Sequence, residues 1–201
     1  MRTHVALLRG LNVGGHNRIA MSDLRDLATS IGLVDVVTYI QSGNLVFTSP
    51  ETDQTALAAA LEKRIARQLE VRPAVIVLSR EEFAGVVADN PYPNEPNPKC
   101  LHVVFHRSDP GPDAAASLAA AERRARGMGS RDEGVVIGRH VFLHTPDGLG
   151  RSELALELNR HRTAPTTVST MRNWATVTRL MALVNGDPPS QRADGAGTEL
   201  T

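Results

Sequence analysis

The residues of this chain best suited to chemistry are arginines and side-chain amides set beside glycines, in three short stretches. The first is Arg9-Gly10-Leu11-Asn12-Val13-Gly14-Gly15, the second Tyr39-Ile40-Gln41-Ser42-Gly43-Asn44, the third Thr170-Met171-Arg172-Asn173-Trp174. Guanidinium and amide N–H groups recognise anions through charge-assisted hydrogen bonds, and glycines let a backbone approach a ligand closely. The chemistry to expect is recognition of an anion; no particular reaction is spelled out. Gly10 to Asn17 lies between a strand pattern and a helix pattern, a position where backbone N–H groups often cradle phosphate. The terminal Lys-Ser/Thr of a P-loop is missing, and the glycine spacing is not G-x-G-x-x-G.

The third stretch reads as the opening of a last helix over Met171–Val184. A cation in a first turn is opposed by the helix dipole, by about 0.3–1 kcal/mol, and a bound anion would turn that arrangement into a receptor. Arg151 beside Ser152 repeats the arrangement at the preceding helix. The candidate ligand-binding set is Arg9, Asn12, Gly14, Gly15, Gln41, Ser42, Asn44, Arg151, Arg172 and Asn173. Trp174 falls on the stripe Trp174, Val177, Met181, Val184 and is assigned to the core.

Other chemistries find less support. His102 and His106 share a strand face, as do His140 and His144, but residues four apart on a strand are ~13 Å apart and cannot chelate as a pair. No metal site is expected, and the residues leave open whether a cofactor is used. The single cysteine, Cys100, sits in an apolar run and reads as a small buried hydrophobe. No Ser/Cys–His–Asp ordering, H-E-x-x-H or paired-cysteine spacing is present.

These residues must be positioned by the elements around them. His4 to Leu8 is a nearly continuous apolar run, as in a central strand. A helix follows with Ser22 as its expected N-cap, the stripe Leu24, Leu27, Ala28, Ile31, and Gly32 just past its end. Val36 to Thr48 reads as a hairpin turning at Ser42-Gly43, so that Gln41 faces Asn44, Ile40 faces Leu45 and Thr38 faces Phe47. Ile40, Leu45 and Phe47 then point to the core, with Tyr39, Gln41 and Asn44 on the other face. A helix over Asp53–Glu70, a strand over Ala74–Leu78 and a helix opened by a Ser79/Glu82 capping box complete the first half.

Asn90 to Pro98 holds four prolines in nine residues and marks a boundary. Beyond it come a strand at Leu101–Phe105, a helix at Pro112–Met128, a hairpin turning at Gly138-Arg139, and helices near Ser152–His161 and Met171–Val184. The expected fold is α+β, with a ferredoxin-like first half (β-α-β-β-α-β) and a second half β-α-β-β-α-α. The expected division is a subdomain at 1–90, a linker at 91–98, a second subdomain at 99–186 and a disordered polar tail at 187–201. No repeat at the level of sequence accompanies the likeness of the halves.

The chain has 201 residues, and its 22 basic residues balance 22 acidic ones. The balance is local too, with −2 over residues 1–95 and +2 over 96–201. No overall field draws it to nucleic acid or an anionic membrane. Aromatic residues make up 3% of the chain, which argues against a stacking surface for nucleic acid. No stretch reaches the roughly 20 apolar residues of a membrane span, and the N-terminus goes straight into a strand pattern. A cytoplasmic location is expected.

The chain resembles a bacterial family without an assigned activity, the domain-of-unknown-function family DUF1697. The similarity spans about residues 3–184 and is carried by Ala6-Leu7-Leu8-Arg9-Gly10-Leu11-Asn12-Val13-Gly14-Gly15 and Tyr39-Ile40-Gln41-Ser42-Gly43-Asn44. Pro146-Asp147-Gly148 with Gly150-Arg151-Ser152, and Arg172-Asn173-Trp174 followed by Thr176-Val177, also carry it. The family often has lysine where this chain has His16 and Glu153, and both departures lower the local positive charge. The resemblance implies a two-part α+β fold of ferredoxin-like topology and supplies no catalytic residues. The leading functional expectation is an anionic, phosphate-bearing small molecule or nucleotide bound in a cleft between the halves. The competing one is a non-enzymatic interaction module whose motif residues are structural.

Overall fold

A computed structural model describes residues 1–12, 18–160 and 168–188. Gly14, Gly15 and the tail from 189 onward lie outside the described residues. The first half runs β1 (His4–Leu8), α1 (Met21–Ser30), β2 (Val34–Thr38), β3 (Asn44–Thr48), α2 (Gln54–Gln68), β4 (Val75–Ser79) and α3 (Arg80–Ala88). The second runs β5 (Leu101–His106), α4 (Ala114–Gly127), β6 (Glu133–Ile137), β7 (His140–His144), α5 (Glu153–Arg160), β8 (Ser169–Asn173) and α6 (Trp174–Val184). Each half builds a four-stranded antiparallel sheet, in the orders β2-β3-β1-β4 and β6-β7-β5-β8. The first half is the ferredoxin-like pattern. The second repeats it, because the segment expected as one helix from Met171 begins with strand β8. There Thr170 and Arg172 are buried on one face while Met171 packs on the other, a two-residue period no helix can satisfy.

Burial on both faces explains the continuous apolar strands. In β1, Ala6 and Leu8 pack with α1 and α2, whereas Val5 and Leu7 face the opposite way. That second face meets Val103, Phe105 and Phe142 of the other sheet, together with α3 and α6, in a core made by both halves. Phe83 and Phe105 stack across it with ring centroids 5.8 Å apart. A third cluster lies between the second sheet and α4 and α5. Among the described residues no helix is long and apolar enough to cross a membrane.

The strand registers also uncover an echo in the sequence. β1 pairs β4 as His4↔Ser79 and β5 pairs β8 as His102↔Asn173; Ser79 and Asn173 are the N-caps of α3 and α6. His4-Val5-Ala6-Leu7-Leu8-Arg9 thus corresponds to His102-Val103-Val104-Phe105-His106-Arg107, with the His, Val and Arg shared.

Two local expectations are corrected. Ser22 is not the N-cap of α1; Ala20 holds that position without a side-chain hydrogen bond, and Ser22 turns to Asp23. The β2–β3 connection is four residues, Ile40 to Gly43, since Thr38 pairs with Leu45 and Tyr39 N–H donates to Asn44 O. Gly43 (φ +72°) lies so close to β1 that a Cβ on it would sit 2.9 Å from Leu8 Cβ. The slip is two residues, so Leu45 and Phe47 keep their buried face while Ile40 leaves the sheet and stands 49% exposed.

Two outcomes follow for stability. Gly43→Ala should cost about 2 kcal/mol or more, from strain plus the clash with Leu8. Gly10→Ala, also at positive φ but in open space, should cost only about 1 kcal/mol. Urea midpoints of the two variants measure the difference, and equal losses would contradict the packing argument.

His140 sets an acid limit. It is buried edge-on to Phe105, and its Nδ1 has no hydrogen-bond partner among the described residues. Burial, with smaller contributions from Arg139 and His106, pushes it down to about 4. An unfolded histidine titrates near 6.5, so between these values only the unfolded chain binds the proton. Stability is therefore complete above about pH 6.5 and falls by about 3 kcal/mol as the pH drops toward 4. Burial lowers His102 and His4 as well, adding to the same trend. Denaturant melts at stepped pH should show a shallower acid slope in His140→Leu than in the parent.

Candidate functional site

The polar stretches meet where β1 ends. Gly10 (φ +71°) and Asn12 (φ +54°) turn the chain out of the sheet, and Leu11 between them is buried. Asn12 fits the left-handed region because its short amide can bond the local backbone. Its Oδ1 accepts from Ile19 N–H at 2.9 Å, and its Nδ2 donates to Ile19 O at 3.1 Å and Gln41 O at 2.7 Å. One side chain thus closes the base of the β1–α1 loop and ties it to the β2–β3 turn.

Asn44 fixes that turn from within. It is fully buried, and its Nδ2 donates to Tyr39 O at 3.0 Å and Ser42 Oγ at 2.9 Å. Its Oδ1 accepts from Arg172 Nε. Arg172 reaches over from the second sheet, where it pairs with Val103. Its Nη1 donates to Thr170 Oγ1 (2.7 Å) and Met171 O (2.8 Å), and its Nη2 to Leu8 O (2.8 Å) and Ser42 O (3.2 Å). All these acceptors are neutral, and no carboxylate is among them. Burial alone pulls the guanidinium down to about 10, so at neutral pH it is a buried cation held by dipoles.

This placement corrects the sequence-based view of Arg172 as a first-turn cation opposed by the helix dipole. Arg172 is a strand residue, and the helix starts after it. Asn173 caps α6, its Oδ1 accepting from Ala175 N–H (2.9 Å) and Thr176 N–H (3.4 Å). Asn before an apolar 3.6-residue stripe was the available signal for this cap. Thr170 and the Leu8 carbonyl, both part of the junction, lie within the stretches singled out from sequence, but nothing there marked them as acceptors for Arg172.

Asn12, Gln41, Ser42, Asn44 and Arg172 therefore belong to one hydrogen-bonded neighbourhood, in which Leu8 N–H also donates to Gly43 O; Arg9 follows Leu8 in the chain, its own N–H on Ala74 O, and Asn173 follows Arg172 with its side chain bonded into α6. Arg151 belongs to another. It is exposed in a single 3-10 turn (Leu149–Arg151) at the entry to α5. That entry is organised by buried Asp132, which accepts from Ser152 Oγ (2.9 Å), while Ser152 caps Ala155 N–H (2.9 Å). The Arg131 hydrogen bond, and more weakly Arg151, hold the exposed Asp147 carboxyl below its usual range.

The junction has an inner and an outer layer. Inside, Asn12, Asn44 and Arg172 spend their polar groups on the protein. Outside, Arg9, Arg18 and Gln41 are exposed, and their side chains have no hydrogen-bond or ion-pair partner among the described residues. Trp174 is half-buried against Phe142, with ring centroids 6.5 Å apart, and packs on the core between the sheets. Cys100 is buried. Among the described residues no group of three His, Cys, Asp or Glu could hold a metal ion.

Fold and site define a class: paired ferredoxin-like α+β units whose sheets share one core and are tied at a polar junction by a buried arginine. The chain belongs to the family described as Protein of unknown function (DUF1697), which matches residues 1–142. It is similar in fold to the conserved bacterial protein SP0830 from Streptococcus pneumoniae, at 22% sequence identity and a TM-score of 0.70. That likeness covers 92% of this chain and 99% of the other. No curated protein matches the chain.

The division into layers predicts different mutational costs. Arg172→Met should lose about 3 kcal/mol, since Asn44 Oδ1 and the Leu8 and Ser42 carbonyls are left without donors. Arg151→Ala should fall within about 0.5 kcal/mol of the parent, as exposed sites do. Urea unfolding of both variants measures this, and a neutral Arg172→Met would contradict the strut.

Proposed function

We propose that the protein binds an anionic, phosphate-bearing small molecule or nucleotide at this junction, with Arg9 as its principal charged contact and Gln41 beside it. The observation that carries this reading is the split between layers. The inner residues are satisfied and hold the two loops in place, while the cations and amide they present to solvent have no partner among the described residues. A site built this way is preorganised, so less ordering cost falls on binding. Buried Arg172, which has no counter-charge among its partners, adds positive potential behind the surface. The ten residues expected from sequence take separate roles: Arg9 and Gln41 contact the ligand; Asn12, Ser42, Asn44, Arg172 and Asn173 position them. Arg151 contributes nothing here, and Gly14 and Gly15 lie outside the described residues. Local charge in place of an overall field favours a small ligand over a nucleic acid.

One observation favours the competing reading of an interaction module with structural motifs: Asn12, Asn44, Arg172 and Asn173 all bond within the chain. Thermal melting with orthophosphate, sulfate and nucleoside triphosphates separates the two. The anion-site reading expects Tm to rise with at least one of these, by about 2.7 kcal/mol of stabilisation at a hundredfold excess over Kd. It also expects Arg9→Ala to lose that rise while keeping the parent Tm in plain buffer. No anion response in the parent would leave the interaction module as the better account.

A further inference from the structure

The non-glycine residues at positive φ among the described residues are Asn12, Asp35, Ile40 and Glu70. Ile40 stands apart, because a β-branched side chain in the left-handed region is an outlier and costs free energy at that residue. The strain gains no place in the core in return, for Ile40 is 49% exposed and joins none of the three core clusters. Both its neighbours are clamped. Tyr39 N–H donates to Asn44 O, Tyr39 O accepts from Asn44 Nδ2, Gln41 O accepts from Asn12 Nδ2, and Ser42 O accepts from Arg172. The scaffold thus holds an apolar side chain outward, one residue before Gln41, whose amide has no partner among the described residues, and on the same turn that meets the Arg9 loop. Strain that the surroundings enforce is a mark of ligand clamps.

We infer that Ile40 is a ligand contact, an apolar platform for the flat face of a heterocycle whose edge Gln41 meets, so that the ligand is a nucleotide and not a bare inorganic anion. This rests on the proposed anion site and names its ligand class. An isoleucine side chain covers one face of a base by dispersion and by excluding water, and an amide beside it has the donor and acceptor to match a base edge. The phosphates would lie toward Arg9.

The test uses stability and binding together. Asn tolerates the left-handed region, so Ile40→Asn relieves strain while removing the platform, whereas Ile40→Val keeps both. The expected result has two parts. Ile40→Asn melts higher than the parent by about 2–4 °C, yet loses about tenfold in affinity for the best of ATP, GTP, CTP and UTP. Its affinity for inorganic tripolyphosphate is unchanged, and Ile40→Val behaves as the parent in all three measurements. Nucleotide affinity unaltered in Ile40→Asn, a parent that binds tripolyphosphate as tightly as every nucleotide, or a lower Tm in Ile40→Asn would each overturn the inference and leave the anion site standing. A parent that binds neither tripolyphosphate nor any nucleotide would overturn both.

Discussion

A buried guanidinium with no counter-charge is the constraint on which the rest of this structure depends. Removing a cation from water costs several kcal/mol, and the usual remedy is a carboxylate. Arg172 has instead a side-chain amide, a threonine hydroxyl and backbone carbonyls. Each of those acceptors must be held still and aimed at the guanidinium, so the cost of burial becomes a demand for order in everything around it. β1 must end at Leu8, the turn must run through Ser42 and Gly43, and β8 must be a strand. Gly43 meets one of these demands by lying against Leu8 where no larger residue fits.

The same demand explains how two halves act as one body. Their sheets share a core, but apolar contact is non-directional and does not fix register. Hydrogen bonds from Arg172 do, since a planar fork accepts only one arrangement of its partners. On the neighbouring strand, Arg107 bonds Glu62 and the carbonyl of Val75, the register partner of Leu8, again across the two halves. Arg9 corresponds to Arg107 in the repeated strand, but its side chain has no hydrogen-bond or ion-pair partner among the described residues, so the two halves keep a common frame while using this position differently.

Much of the fold was legible because local chemistry agreed with it. The capping box at Ser79 and Glu82 forms as read, and the stripe Leu57, Leu61, Ile65 is buried in α2. The hairpin faces for Leu45 and Phe47 survived an incorrect register because the error was an even number of residues. Strand β8 was hidden for a physical reason: its inward residues are Thr170 and Arg172, so the apolar alternation that marks a strand is missing. The sequence pointed to several residues of the junction, Asn12, Asn44 and Arg172 among them, but not to the partners that hold them. Arg172 lies 128 residues from Asn44 and 164 from Leu8, and no local pattern reveals that an arginine will be satisfied by carbonyls so distant. Arg151 looked alike in sequence because a Gly-Arg-Ser cap and an anion site use the same residue types.

The most direct test of this account is an NMR titration of the arginine side-chain Nε–H signals with phosphate. The account predicts that Arg172 Nε–H is protected from exchange and unmoved by phosphate, while Arg9 Nε–H exchanges freely and shifts to saturation. A saturating shift at Arg172, or rapid exchange there without phosphate, would contradict the strut; an Arg9 signal indifferent to phosphate would contradict the site.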